Sequence, residues 1–184
     1  MAFGKRTDSD RERLERRYRP RHIRLLFVGE SPPASGRHFY AGDSGLYRAI
    51  RESFLTAFPP WRAEPDFLSA FRTASCVLVD LCERPVDDLA LGLRRARCRA
   101  SEPRLTAEIA ATQPRAIVTV VRSIEANVRR AVAVADWEGE TLALPYPGRW
   151  SRARSTFTAA LVPALVRWAE SGLLGSGRDR RADR

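Results

Sequence analysis

The chain has 184 residues and 44% hydrophobic content, which suits one domain with a substantial core and is too short for two ordinary ones. Its formal net charge of +10 points to a polyanionic partner, either nucleic acid or an anionic surface. Three cysteines without a Cys-x-x-Cys pair argue against a disulfide framework and a zinc ribbon; with no signal-like or membrane-length apolar run, a cytoplasmic protein with reduced thiols is expected.

The charge is unevenly spread. Residues 1–24 hold nine Lys/Arg against four acids, and the segment from Gly175 holds four Arg against two, leaving 19 basic and 16 acidic residues between Leu25 and Leu174. Three parts follow: a basic arm or short helix over 1–22, a folded domain over 23–174, and a disordered basic tail over 175–184. Arg11 to Tyr18 has Leu14 as its one aliphatic residue, so it is expected to be exposed and to add nothing to the core.

Ile23 to Val28 reads as the first strand, running into Gly29, Glu30 and the stiff pair Pro32-Pro33. Leu46, Ile50, Phe54 and Phe58 then fall at four-residue steps, one stripe of a helix over Gly45 to Phe58. Asp43 or Ser44 offers its cap, and Pro59-Pro60 ends it. A helical turn or two fits Phe67 to Phe71, and Cys76 to Val79 is a second strand, closed by Asp80 and Arg84-Pro85. Helices are expected over Asp87 to Arg99 and Ser101 to Gln113, a third strand over Ala116 to Val121, and a helix over Ser123 to Val134. A short fourth strand, Thr141 to Leu144, enters the turn Pro145-Tyr146-Pro147-Gly148, followed by an Arg-rich run and a final helix carrying Phe157, Leu161, Leu165 and Trp168.

Continuously apolar strands alternating with helices argue for an α/β fold, three layers α/β/α around a four-stranded, mainly parallel sheet. Open sheets of this kind place ligands at the carboxyl ends of their strands, where Glu30 and Asp80 fall.

Gly29-Glu30-Ser31-Pro32 with Phe39-Tyr40-Ala41-Gly42-Asp43-Ser44-Gly45-Leu46 resembles the first motif of the uracil-DNA glycosylase superfamily, in the branch that reads Gly-Glu-x-Pro-Gly and then Pro-Phe-Val-Gly-x-x-Gly. Val77 to Pro85 is similar to its second strand, Pro103 to Val121 to its helix and third strand, and Leu144 to Arg154 takes the place of its His-Pro-Ser motif and penetrating loop. The likeness spans roughly residues 23 to 168.

The resemblance implies a monomeric enzyme that cuts the N-glycosidic bond of uracil or another deaminated base in DNA. Such chemistry needs a flipped base held against an aromatic face, a carboxylate beside the sugar, and donors facing the leaving base. On this reading Glu30 is the catalytic carboxylate, with Tyr146 facing the base where the family keeps His. Gly29, Phe39, Tyr40, Asp80 and Arg149 bind substrate, and Trp150, Arg152 and Arg154 contact DNA.

Plainer roles stay open. Glu30 can be a solvated loop acid, Phe39 and Tyr40 core aromatics, Asp80 the partner of an Arg such as Arg84, and Trp150 a core residue. Asp80 stands where the family has Asn; ionised, it offers acceptors only and suits an amino-bearing base, and protonated it regains a donor. The branch's iron-sulfur cluster is not expected, because the N-terminal cysteine pair is absent, Ser101 takes a cluster position, and three thiols cannot supply four ligands. No metal or other cofactor is expected either. Two rival readings remain: a module of the same fold that binds nucleic acid or a free base without cutting it, and a hydrolase of a free nucleoside or nucleotide.

Overall fold

The computed structural model describes residues 8–148 and 151–174. Arg149, Trp150 and the tail over 175–184 lie outside the described residues.

The sheet grows from apolar runs. Strands β1 (Leu25–Gly29), β2 (Cys76–Asp80) and β3 (Ala116–Thr119) are largely buried, because helices cover both faces and leave no solvent side to alternate with. With β4 (Glu140–Ala143) they form one sheet in the order β2-β1-β3-β4, every neighbouring pair parallel. Leu25 lies between Cys76 and Ala116, and Phe27 between Leu78 and Val118.

Seven α-helices are described: α1 (Asp8–Tyr18), α2 (Gly45–Ala57), α3 (Phe67–Thr73), α4 (Leu91–Ala100), α5 (Glu102–Thr112), α6 (Glu125–Val134) and α7 (Ser151–Glu170). α2 packs on α7 and α5 on α6. Parallel strands are joined by right-handed crossovers, which puts the connection leaving β1 on one face and those leaving β2 and β3 on the other. The chain is therefore a three-layer α/β/α fold. Phe27, Phe54 and Phe71 are fully buried with ring centroids 5.5–6.3 Å apart, and each such side chain contributes about 1.5–3 kcal/mol by burial.

Local signals act as expected in α2. Ser44 is its cap, its Oγ accepting from Tyr47 N at 3.0 Å, and a 3-10 turn over Pro59–Ala63 follows its end. Asp43 turns back instead to accept from His38 N at 2.8 Å. α4 begins at Leu91 rather than Asp87, because Asp87 accepts from the Ala34 amide and ties its segment to the Pro32-Pro33 loop.

The N-terminal stretch departs from the expectation that it adds nothing to the core. Tyr18 is buried and stacks on Tyr40 with centroids 6.0 Å apart, and Leu14 packs against the core. Two large residues on one stripe suffice to dock an otherwise charged helix. No helix among the described residues is long and apolar enough to cross a membrane.

Candidate functional site

The chain leaves β1 for β2 on one side and reaches β3 on the other, so the strand order switches at β1. A cavity of about 420 Å³ opens at the carboxyl ends of these strands, the place where open α/β sheets bind ligands. Its lining includes Gly29 at the end of β1 with Glu30 just after it, His38 and Phe39 from the connection between β1 and α2, Leu78 and Asp80 from β2, Val120 and Val121 after β3, Arg94 from α4 and Tyr146.

Glu30 is held from both ends. Its carbonyl accepts from Cys82 N at 2.8 Å, extending the β1–β2 ladder past the strands. Its carboxylate is gripped by Arg94, whose Nε donates to Oε1 at 2.7 Å and whose Nη2 donates to Oε2. This planar fork fixes the orientation of the carboxylate. The side chain retains 12% exposure, so it reaches the cavity without being solvated freely.

Asp80 lies beside it on the next strand. Burial pushes its carboxyl up to about 7; Glu15 adds to the rise, while His38, Arg11 and Arg104 oppose it. Near neutral pH it is thus shared between a carboxylate and a carboxylic acid. Gly29 makes this position possible, since a Cβ there would overlap Asp80 Oδ1. Arg84 is exposed; the arginine that meets Asp80 is Arg104, which donates to its backbone carbonyl and, at 2.9 Å, to that of Leu81.

Phe39 lines the cavity at 3% exposure, edge-on to Tyr40 and Tyr47. Tyr40 turns away from it. The Tyr40 hydroxyl donates to Leu78 O at 2.9 Å and accepts from Leu78 N at 2.8 Å, replacing the neighbour strand that β2 lacks as the sheet's edge. His38 is buried, its Nε2 lies 3.1 Å from Glu15 Oε1, and its Nδ1 has no partner. Tyr146 stands half exposed at the rim. Arg152 and Arg154 lie in the first turn of α7, outside the lining, Arg152 exposed and Arg154 half-buried.

The structure thus brings Gly29, Glu30, Phe39, Asp80 and Tyr146 around one cavity and gives Tyr40 a place in the sheet edge. Arg94 was not anticipated. An arginine-rich helix hides which guanidinium turns inward, and the available signal was its place one turn before Cys98, the one buried residue of α4.

Cys82 and Cys98 are free thiols with Sγ atoms 3.8 Å apart, Cys98 also lying 3.7 Å from Glu30 Oε1. Burial, then Cys82 and Glu30, push the Cys98 thiol up to about 12, so it stays protonated and is no nucleophile at neutral pH. Cys76 is buried within β2, donating to Ala74 O at 3.6 Å, so the three thiols do not form a cluster-binding set. Among the described residues no group of three His, Cys, Asp or Glu side chains is placed to hold a metal ion. No protein-family model and no curated protein matches this sequence.

Proposed function

We propose that the protein is a DNA glycosylase that hydrolyses the N-glycosidic bond of uracil or another deaminated base. The observation that supports this reading is the convergence of Glu30, Phe39 and Asp80 on one cavity at the strand switch. Its volume of about 420 Å³ admits a flipped nucleotide and falls in the range of small-ligand sites.

The roles follow from charge. As the bond between C1′ and the base nitrogen breaks, its electrons pass to the base and positive charge grows on the sugar. Glu30, oriented by Arg94, stabilises that charge and positions the water that adds to C1′. The proton that this water loses passes to the departing base anion. Phe39 supplies the apolar wall for the base, and the Tyr146 hydroxyl donates toward the leaving base from the rim. Asp80 reads the base edge. In its acid form it presents one donor and one acceptor, as an amide would, and matches the O4 and N3–H of uracil; ionised, it accepts from an amino group.

Incubation of excess protein with oligonucleotides carrying uracil, hypoxanthine, xanthine or a cytosine mismatch, followed by alkali, tests the reading. Strand breaks at the altered base that vanish in Glu30→Gln support it. A second reading, a module that binds nucleic acid or a free base without cutting, draws on the Arg94 fork, which occupies both carboxylate oxygens. Salt-sensitive binding with no break at any base selects that second reading.

A further inference from the structure

Helix α4 borders the cavity and carries four arginines, and no acid occurs from Leu89 to Ser101. Arg94 and Cys98, one turn apart, form the ridge that faces the body of the protein: one grips Glu30 and the other is buried. The remaining arginines have no such duty. Arg95, Arg97 and Arg99 are exposed and make no ion pair among the described residues; Arg99 acts only at a distance on the Glu102 carboxyl.

At four-residue steps these arginines fall into two outward ridges. One runs Leu91, Arg95, Arg99 and the other Leu93, Arg97, separated by the small residues Gly92, Ala96 and Ala100. Each ridge therefore begins with a leucine and continues as arginine. Both leucines are exposed, Leu91 at 61% and Leu93 at 50%, and they stand among the few large apolar side chains that the described chain leaves in water. Among the described residues neither leucine belongs to the hydrophobic core or packs against it.

We propose that the outer face of α4 is a nucleic-acid-binding surface beside the cavity. Arg95, Arg97 and Arg99 take backbone phosphates, and Leu91 and Leu93 pack against the bases of an unpaired strand, as apolar wedges do at unstacked steps. Charge complementarity names a polyanion; the inference rests on the glycosylase reading for taking that polyanion to be a nucleic acid. Because Arg94 ties the same helix to Glu30, a strand held on α4 lies next to the carboxylate.

Fluorescence anisotropy with a labelled single strand and its duplex, from 50 to 200 mM salt (about the range over which phosphate contacts are resolved), tests this. In Arg95→Gln/Arg97→Gln/Arg99→Gln the single-strand salt slope should fall by about 2, since each phosphate contact contributes about 0.7. Affinity at a fixed moderate salt should fall at least tenfold. Leu91→Ser/Leu93→Ser should lose single-strand affinity several-fold at an unchanged slope. Arg62→Gln/Arg72→Gln, on the segments that lead into β2, should bind as wild type and shows whether net charge alone matters. Unchanged thermal midpoints confirm that the variants fold.

An unchanged slope in the triple variant, or an equal loss in the Arg62/Arg72 variant, overturns the proposal. So does binding of the wild-type protein to phosphatidylserine vesicles in place of either oligonucleotide. Cleavage of the altered-base oligonucleotides is scored separately. Binding through α4 without cleavage removes the glycosylase reading and leaves this face standing, whereas cleavage with α4-independent binding removes this face alone.

Discussion

Replacing Asp80 by Asn should stabilise the protein above neutral pH and do so less in acid. The folded carboxyl is raised from 3.8 to about 7, first by burial and next by Glu15, with His38, Arg11 and Arg104 opposing. Between those two values the unfolded chain releases a proton that the folded chain keeps. Stability therefore falls as pH rises through that window and levels off above it. At about 1.4 kcal/mol for each pH unit, the gap corresponds to about 4 kcal/mol against folding at pH 8. Asp80 keeps partial contact with the water of the cavity, which screens the charge and brings the expected figure to about 2 kcal/mol. Asn carries the same shape without the charge. Urea unfolding of both proteins at pH 4.5, 6 and 8, at one ionic strength, gives the difference directly, since every other titrating group cancels. Because the unfolded carboxyl is already mostly ionised at pH 4.5, the D80N advantage should grow from about 1 to about 2 kcal/mol across the series. A difference that stays constant with pH refutes the argument and places Asp80 in ordinary solvent. The same substitution bears on chemistry: cleavage of uracil by the wild-type protein should decline above about pH 7, and D80N should lose that limb.

Gly29→Ala should destabilise by about 2 kcal/mol through overlap of its Cβ with Asp80 Oδ1, and Asp80→Ala in the same chain should recover most of the loss; a simple sum of the two single effects in thermal melts counts against the contact. Tyr40→Phe removes both hydrogen bonds to Leu78 at the sheet edge and should cost about 1–3 kcal/mol in urea unfolding, with nucleic-acid affinity unchanged because the ring stays outside the cavity. Arg94→Gln should leave the half-buried Glu30 carboxylate without its fork, lowering stability by about 2 kcal/mol and slowing cleavage, while Arg94→Lys restores the charge without the bidentate geometry and recovers only part of the rate.

The strands were legible because a chain buried on both faces must be apolar at every position, as Leu25 to Val28 and Ala116 to Val118 are. Ser44 and Pro59 were legible for a similar reason, since caps and prolines act on the backbone within a turn of themselves. Contacts between residues far apart in the chain were not. Tyr18 on Tyr40 docks a helix whose composition reads as a solvated arm, and one Leu and one Tyr give too thin a stripe to show it. Tyr40 was equally compatible with a base-stacking wall and a core position. What decides between them is that β2 ends the sheet, which follows from strand order rather than from any local pattern.

Glu30 shows where such legibility ends and why. Its place at the end of a buried strand was readable, but the charge that controls it comes from Arg94, 64 residues later and on the other side of β2. A lone carboxylate left half-buried there would lack a partner for its charge, and a freely solvated one would have no fixed direction. The fork removes both outcomes at once and makes α4 part of the site rather than a cover over it. Consequently, whatever binds the outer arginines of α4 would act on the helix that orients Glu30, so the proposed recognition on that face and the proposed chemistry in the cavity share one structural element.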